Sequence, residues 1–251
     1  MNRRHFIATL LASPFAGRTA LAAQGRYALE LIAGGRDGDG WLAGIRILLD
    51  PGWKTYWRMP GDAGIPPDFD FGNSRGVSGI EVLYPLPRRM SDEGGETVGY
   101  ADEVVFPVRF AVTAPDARLS LAANLGICDK ICIPVAGDAE IDVGTSGSSS
   151  STGQALIARW LAKVPAPGMP VTRAWAEGPD MLAVALAEEA IDIFVEGPDS
   201  TYFHAPLFSA DHREARLKVS GISETAQLRG ASLRLTVALA HGGLEQSMTV
   251  G

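Results

Sequence analysis

The chain has 251 residues, 46% of them hydrophobic, and a formal net charge of −7. A chain of that length and composition can bury one large or two ordinary cores, which excludes disorder as its default state. The acidic balance argues against nucleic acid or anionic lipid as the main partner.

The N-terminus reads Met1-Asn2-Arg3-Arg4-His5, then an apolar run from Phe6 to Phe15, then Ala20-Leu21-Ala22. A basic start, a short apolar stretch and small residues are the three parts of a signal peptide, expected here over residues 1–22. The run is too short for a membrane-spanning helix, which needs about 20 apolar residues. Arg3-Arg4 before Phe6-Ile7 also fits a twin-arginine signal, so an ordinary secretory route and export in the folded state both stay open. Cleavage removes Arg3, Arg4 and Arg18 and no acid, so the net charge of −7 becomes −10. No later stretch approaches the length of a membrane span, and the mature product is expected to be a soluble periplasmic protein.

From Tyr27 to Val143 the sequence falls into short apolar or alternating runs separated by turn residues. Tyr27–Ile32, Trp41–Leu49, Ile80–Tyr84, Val104–Val112 and Arg118–Leu121 are such runs. Many strands of this length, with no long helix between them, predict an antiparallel β-sandwich. Gly35-Arg36-Asp37-Gly38-Asp39-Gly40 resembles a phosphate or calcium loop but lacks the following helix and terminal glutamate, so it is read as a hairpin turn. Trp53, Thr55, Trp57 and Met59 alternate with Lys54, Tyr56 and Arg58, placing the tryptophans on a core-facing side. Asp62, Asp68 and Asp70 are read as loop residues, since no spacing makes them converge as paired acids.

A Gly/Ser-rich stretch at residues 145–153 reads as a linker. After it, Leu156, Ile157, Trp160, Leu161 and Val164 share one helical face, with Thr152 as the expected cap and Pro165 and Pro167 as the stop. Strand-like runs return at Met181–Ala187, Ile191–Glu196, Ala215–Ser220 and Ser232–Ala240, the last before a turn at His241–Gly243. The expected organisation is therefore a β domain over 23–144, the linker, and a helix plus a smaller β-rich domain over 154–251. The later strands completing the first sandwich is the alternative.

The chain has two cysteines, in Gly126-Ile127-Cys128-Asp129-Lys130-Ile131-Cys132-Ile133-Pro134. A disulfide needs Cα atoms about 4.4–6.8 Å apart, whereas four residues of extended strand separate them by roughly 13 Å. The backbone must turn, and a tight hairpin with Asp129-Lys130-Ile131 as its loop brings the sulfurs together; Pro134 and the β-branched neighbours disfavour a helical turn. A crosslink this short stabilises by only about 2 kcal/mol in loop-closure terms. Closely spaced cysteines do, however, let a mixed disulfide be resolved within one protein. Lys130 favours a nearby thiolate and Asp129 opposes it. Three readings stay open on spacing alone: a static disulfide pinning the hairpin, thiol–disulfide exchange, and Cu(I) binding completed by Met59, Met90, His204, His212 or His241. The histidines are scattered and no serine lies in a nucleophile-elbow sequence, which leaves hydrolase chemistry unsupported.

Three motifs in order carry a resemblance: Trp53-Lys-Thr-Tyr56-Trp57-Arg-Met-Pro60-Gly61-Asp62-Ala-Gly64-Ile-Pro66, Asp92-Glu93 through Tyr100, and Gly126-Ile-Cys128 through Cys132-Ile-Pro134. Together they resemble the N-terminal domain of the DsbD family of thiol:disulfide interchange proteins, and especially its ScsB-like relatives, over roughly residues 27–143. The resemblance implies an immunoglobulin-like sandwich with its two cysteines on neighbouring strands. It implies that Cys128 and Cys132 shuttle between dithiol and disulfide, with Cys132 the one that meets partners, and that no organic cofactor takes part. The implied partners are a membrane electron-transfer protein of DsbD/CcdA type, which would supply the electron channel, and periplasmic thioredoxin-like oxidoreductases. Well-known members space the cysteines more widely and cover them with an aromatic residue after Asp-Glu, where this chain has Gly94-Gly95. Glu93, Tyr100 and Lys130 are therefore expected as supporting or cap residues, with the pair either more loosely shielded or shielded by Tyr100.

Overall fold

The computed structural model describes residues 22–23, 26–61, 64–92, 95–144 and 149–251. Residues 1–21 of the expected signal peptide, Asp62, Glu93 and residues 145–148 of the expected linker lie outside the described residues.

In chain order the first strands are β1 (Ala22–Ala23), β2 (Tyr27–Asp37), β3 (Gly40–Leu49), β4 (Lys54–Gly61), β5 (Asp68–Asp70), β6 (Val77–Val82), β7 (Arg88–Asp92), β8 (Gly95–Ala101), β9 (Glu103–Val112), β10 (Arg118–Cys128) and β11 (Cys132–Asp142). They form two sheets, one ordered β1-β2-β3-β9-β6 and the other β11-β10-β4-β8-β7 with β5 also paired to β10. All of these pairings are antiparallel. Alternation sets the layers: Tyr27, Leu29 and Leu31 of β2 and Ile45 and Ile47 of β3 point inward and are buried. On the outer face Arg46 bridges to Glu30 and Glu103 instead. Leu119, Leu121, Leu125 and Ile127 of β10 close the same core from the second sheet. The chain is thus mostly β, with an immunoglobulin-like sandwich at its start. The loop read as a hairpin at Gly35–Gly40 is one, with Asp37 paired to Gly40 across the turn.

The helix α1 (Ser151–Leu161) is capped by Ser150, whose Oγ accepts from the Gly153 backbone N–H, and not by the expected Thr152. In a run of consecutive serines several residues can cap equally well, and docking of the helix selects among them. Ile157 and Trp160 of α1 belong to the first core, so the helix that the sequence groups with the C-terminal strands packs instead on the first sandwich.

The remaining strands are β12 (Ala166–Pro167), β13 (Val171–Glu177), β14 (Met181–Leu186), β15 (Asp192–Glu196), β16 (Tyr202–Phe208), β17 (Glu214–Ser220), β18 (Ser232–Leu239) and β19 (Gly242–Thr249). They make two four-stranded sheets, β12-β19-β18-β15 and β13-β14-β17-β16, around a second core that includes Leu182, Ile193, Leu217 and Leu235. The turn foreseen after Ser232–Ala240 links β18 to β19, with Leu239 paired to Gly242.

Candidate functional site at the Cys128–Cys132 hairpin

β10 and β11 pair residue for residue from Arg118↔Asp142 to Cys128↔Cys132, so the two cysteines face each other at the last position before the turn Asp129-Lys130-Ile131. They are joined as a disulfide, with Cα atoms 4.1 Å apart. This is the hairpin geometry that the spacing and Pro134 predict. The two residues differ in access: Cys128 is 4% exposed, whereas Cys132 lies in an exposed position on the edge strand.

On its other side β10 meets β4, with Cys128 opposite Lys54 and Ile127 opposite Thr55. Directly opposed residues of an antiparallel pair point to the same face. Lys54, Cys128 and Cys132 therefore share the outer face of the sheet, and Tyr56, two residues on, joins them. The Tyr56 hydroxyl lies 3.0 Å from Cys132 Sγ. Its ring is fully buried.

Gly126, Gly64 and Ile65 lie close against the ring. A Cβ at Gly126 would lie 2.9 Å from Tyr56 Cδ2 and 2.6 Å from Ile65 Cβ, and one at Gly64 would lie 2.8 Å from Tyr56 Cδ1. Only glycine lets Ile65 and its neighbours lie this close over the ring. Thr55 Oγ1 donates to the Gly126 carbonyl at 2.9 Å, locking β4 against β10, and Lys54 Nζ donates to Thr97 Oγ1 at 2.9 Å. Ile131 in the turn and Ile65 over Gly126 leave apolar surface exposed at this end of the hairpin.

The other residues expected at the site fall elsewhere or at its rim. Lys130 is exposed in the turn. Tyr100 does not shield the pair: it is opposite Thr55, on the inner face, where its hydroxyl donates to the Pro85 carbonyl at 2.7 Å and its ring meets Phe106 edge-on. Burial pushes the Tyr100 phenol well above its ordinary pKa. The residue that touches the sulfur is Tyr56, which the sequence placed on the outer face of its strand but did not connect to the cysteines; the link needs the β4–β10 register. Of the candidate metal ligands, His204 bonds Ser220 Oγ at 3.2 Å, His212 stacks on Phe208 and His241 stands beside Glu188, all within the C-terminal strands and their loops. Among the described residues no group of three or more His, Cys, Asp or Glu side chains is placed to hold a metal ion.

A disulfide that joins an exposed cysteine to a buried one suits displacement by a thiolate arriving at the exposed residue. The Tyr56 hydroxyl is in place to donate to Cys132 once the bond has opened.

Residues 23–142 match the family model described as thiol:disulfide interchange protein DsbD, N-terminal. The fold superposes on the crystal structure of the N-terminal periplasmic domain of ScsB from Proteus mirabilis with a TM-score of 0.74 and 21% identity, covering 93% of this chain and 98% of that one. A marsupial T cell receptor covers 92% of this chain and 100% of its own at 9% identity, and its TM-score of 0.19 carries no weight. No curated protein matches the sequence.

Proposed function

Residues 23–142 belong to the DsbD N-terminal family, and from that premise we propose that the chain is a periplasmic thiol:disulfide interchange module working through Cys128 and Cys132. The observation that carries the reading is the asymmetry of the pair: an exposed Cys132, its Sγ held at the Tyr56 hydroxyl, bonded to a buried Cys128.

In the exchange, a donor thiolate bonds to Cys132 Sγ while the bond to Cys128 breaks and its electron pair stays on Cys128. A second donor thiolate then displaces Cys132, so the pair takes up two electrons and two protons and the donor leaves as a disulfide. The reverse sequence, opened by Cys132 on the disulfide of a partner, passes the same equivalents on, and Cys128 resolves the mixed disulfide. The chemistry needs no organic cofactor. The proposed donor is a membrane electron-transfer protein of DsbD/CcdA type and the proposed acceptors are periplasmic thioredoxin-like oxidoreductases. The apolar surface of Ile65 and Ile131 beside the exposed sulfur gives such partners a place to dock.

The test is trapping. Cys128→Ala leaves Cys132 without its resolving partner, so it is expected to accumulate a mixed disulfide with an oxidised thioredoxin-like protein, while Cys132→Ala accumulates none. Equal trapping by the two variants, or none by either, contradicts the reading.

A further inference from the structure

We infer that the C-terminal sandwich braces the cysteine site, and that Arg58 is the positioning residue through which it holds Tyr56 on Cys132. The inference rests on the exchange reading for its biological meaning and on the geometry of β4 for its substance.

β4 does two things along eight residues. Its first half, Lys54 to Tyr56, pairs with β8 and lies beside the cysteine hairpin. Its second half leaves that ladder: between Tyr56↔Gly99 and Gly61↔Thr97, five steps of β4 span two of β8. The extra length bulges toward the C-terminal strands, where side chains hold it. Trp57 packs edge-on against Phe194 of β15, with ring centroids 5.7 Å apart. Arg58 grips Glu196 of β15 through Nε at 2.9 and 3.0 Å and Nη2 at 2.7 Å, and also pairs with Glu245 of β19. Glu245 is itself fixed by the Thr236 hydroxyl at 3.2 Å. The guanidinium lies over the Trp57 ring, and Arg58 and Glu196 are each only 19% exposed in their side chains. A planar two-point grip of this kind sets orientation as well as distance, which an ammonium on a flexible stem does not.

Tyr56 is two residues from Arg58, about 7 Å along an extended strand. Gly64 and Ile65, which lie beside the Tyr56 ring, come three and four residues after Gly61 at the end of β4, where a Cβ would lie 3.5 Å from the Tyr202 hydroxyl of β16. Both the ring and the residues beside it thus leave a strand whose far half is fixed by the C-terminal sandwich. Releasing Arg58 frees the bulge and loosens the hydroxyl from Cys132. Among the described residues the other titratable groups beside Cys132 are Lys54 on β4 and Asp129 and Lys130 in the turn, and none of them is moved directly by a change at Arg58.

The experiment follows alkylation of Cys132 by iodoacetamide against pH in the full-length Cys128→Ala protein, where it is the only thiol. Removing the Tyr56 hydroxyl with Tyr56→Phe is expected to move the midpoint upward and slow the neutral-pH rate, by about tenfold for a full unit. Arg58→Met is expected to move it in the same direction, the double variant no further than the larger single shift, and Arg58→Lys only part of the way. If Arg58→Met does not fold, Glu196→Gln with Glu245→Gln loosens the same grip while keeping the arginine, and the same upward shift is expected. A midpoint unmoved by the Arg58 or glutamate variants while the melting temperature falls, shifts that add in the double variant, or no shift with Tyr56→Phe, each overturns the inference. Alkylation reads Cys132 whatever its partner, so this result stands or falls apart from the trapping experiment.

Discussion

Tyr56 and Tyr100 sit on adjacent strands, and alternation alone gives them opposite fates: one faces the sulfur, the other the core. For Tyr100 the consequence is a pH dependence whose sign follows from its burial. Its phenol is raised well above 10.0 in the folded protein, with desolvation as the leading cause. Above pH 10 the unfolded chain releases this proton while the folded chain keeps it, so the folded state binds more protons and stability falls as pH rises. Below that range the contribution is fully present. Tyr100→Phe is expected to cost about 1 kcal/mol near neutral pH by leaving the Pro85 carbonyl unpaired, and to flatten the alkaline decline. Urea unfolding of both proteins on either side of pH 10 checks this; an unchanged alkaline slope in the variant contradicts it.

Among the elements, the cysteine hairpin was the most legible, because a four-residue separation, a proline and β-branched neighbours leave little but a tight turn. Most of the strands were legible for a related reason: alternation and turn residues mark them locally. The helix was visible through Leu156, Ile157 and Trp160, but the core it joins was not, since nothing in its own residues names the opposing surface. That surface is a hollow made by two glycines. A Cβ at Gly34 or at Gly44 would each come within 2.9 Å of Ile157, at Cδ1 and Cγ1 respectively. Ile157→Ala is accordingly expected to destabilise the protein by about 2–4 kcal/mol, the range for an emptied core position that cannot collapse. Measured by urea denaturation, a loss below about 1 kcal/mol would mean that the helix is dispensable to the first core.

At the scale of the whole molecule, two cores are joined by an interface of aromatic rings and ion pairs. Arg89 repeats from β7 what Arg58 does from β4: it pairs with Asp192 at 3.0 Å, bonds the Ile193 carbonyl at 2.7 Å, and its guanidinium lies over Phe194. Burial raises the Asp192 carboxyl above its ordinary range although Arg89 pulls the other way. Such an arrangement was beyond reading from sequence, because Arg58 stands 138 and 187 residues from its two glutamates. The sequence shows the charges and the strands; only the fold brings them face to face beside the strand that carries Tyr56. What was legible was the pair itself, and an exchange role requires that pair to be chemically live. The reduction potential of Cys128–Cys132, measured by equilibrating the purified protein in glutathione and dithiothreitol buffers with thiol alkylation as readout, decides this. A value between about −120 and −270 mV, the range of exchange proteins, is expected; a value below about −300 mV would mark an inert structural bond and overturn the exchange role.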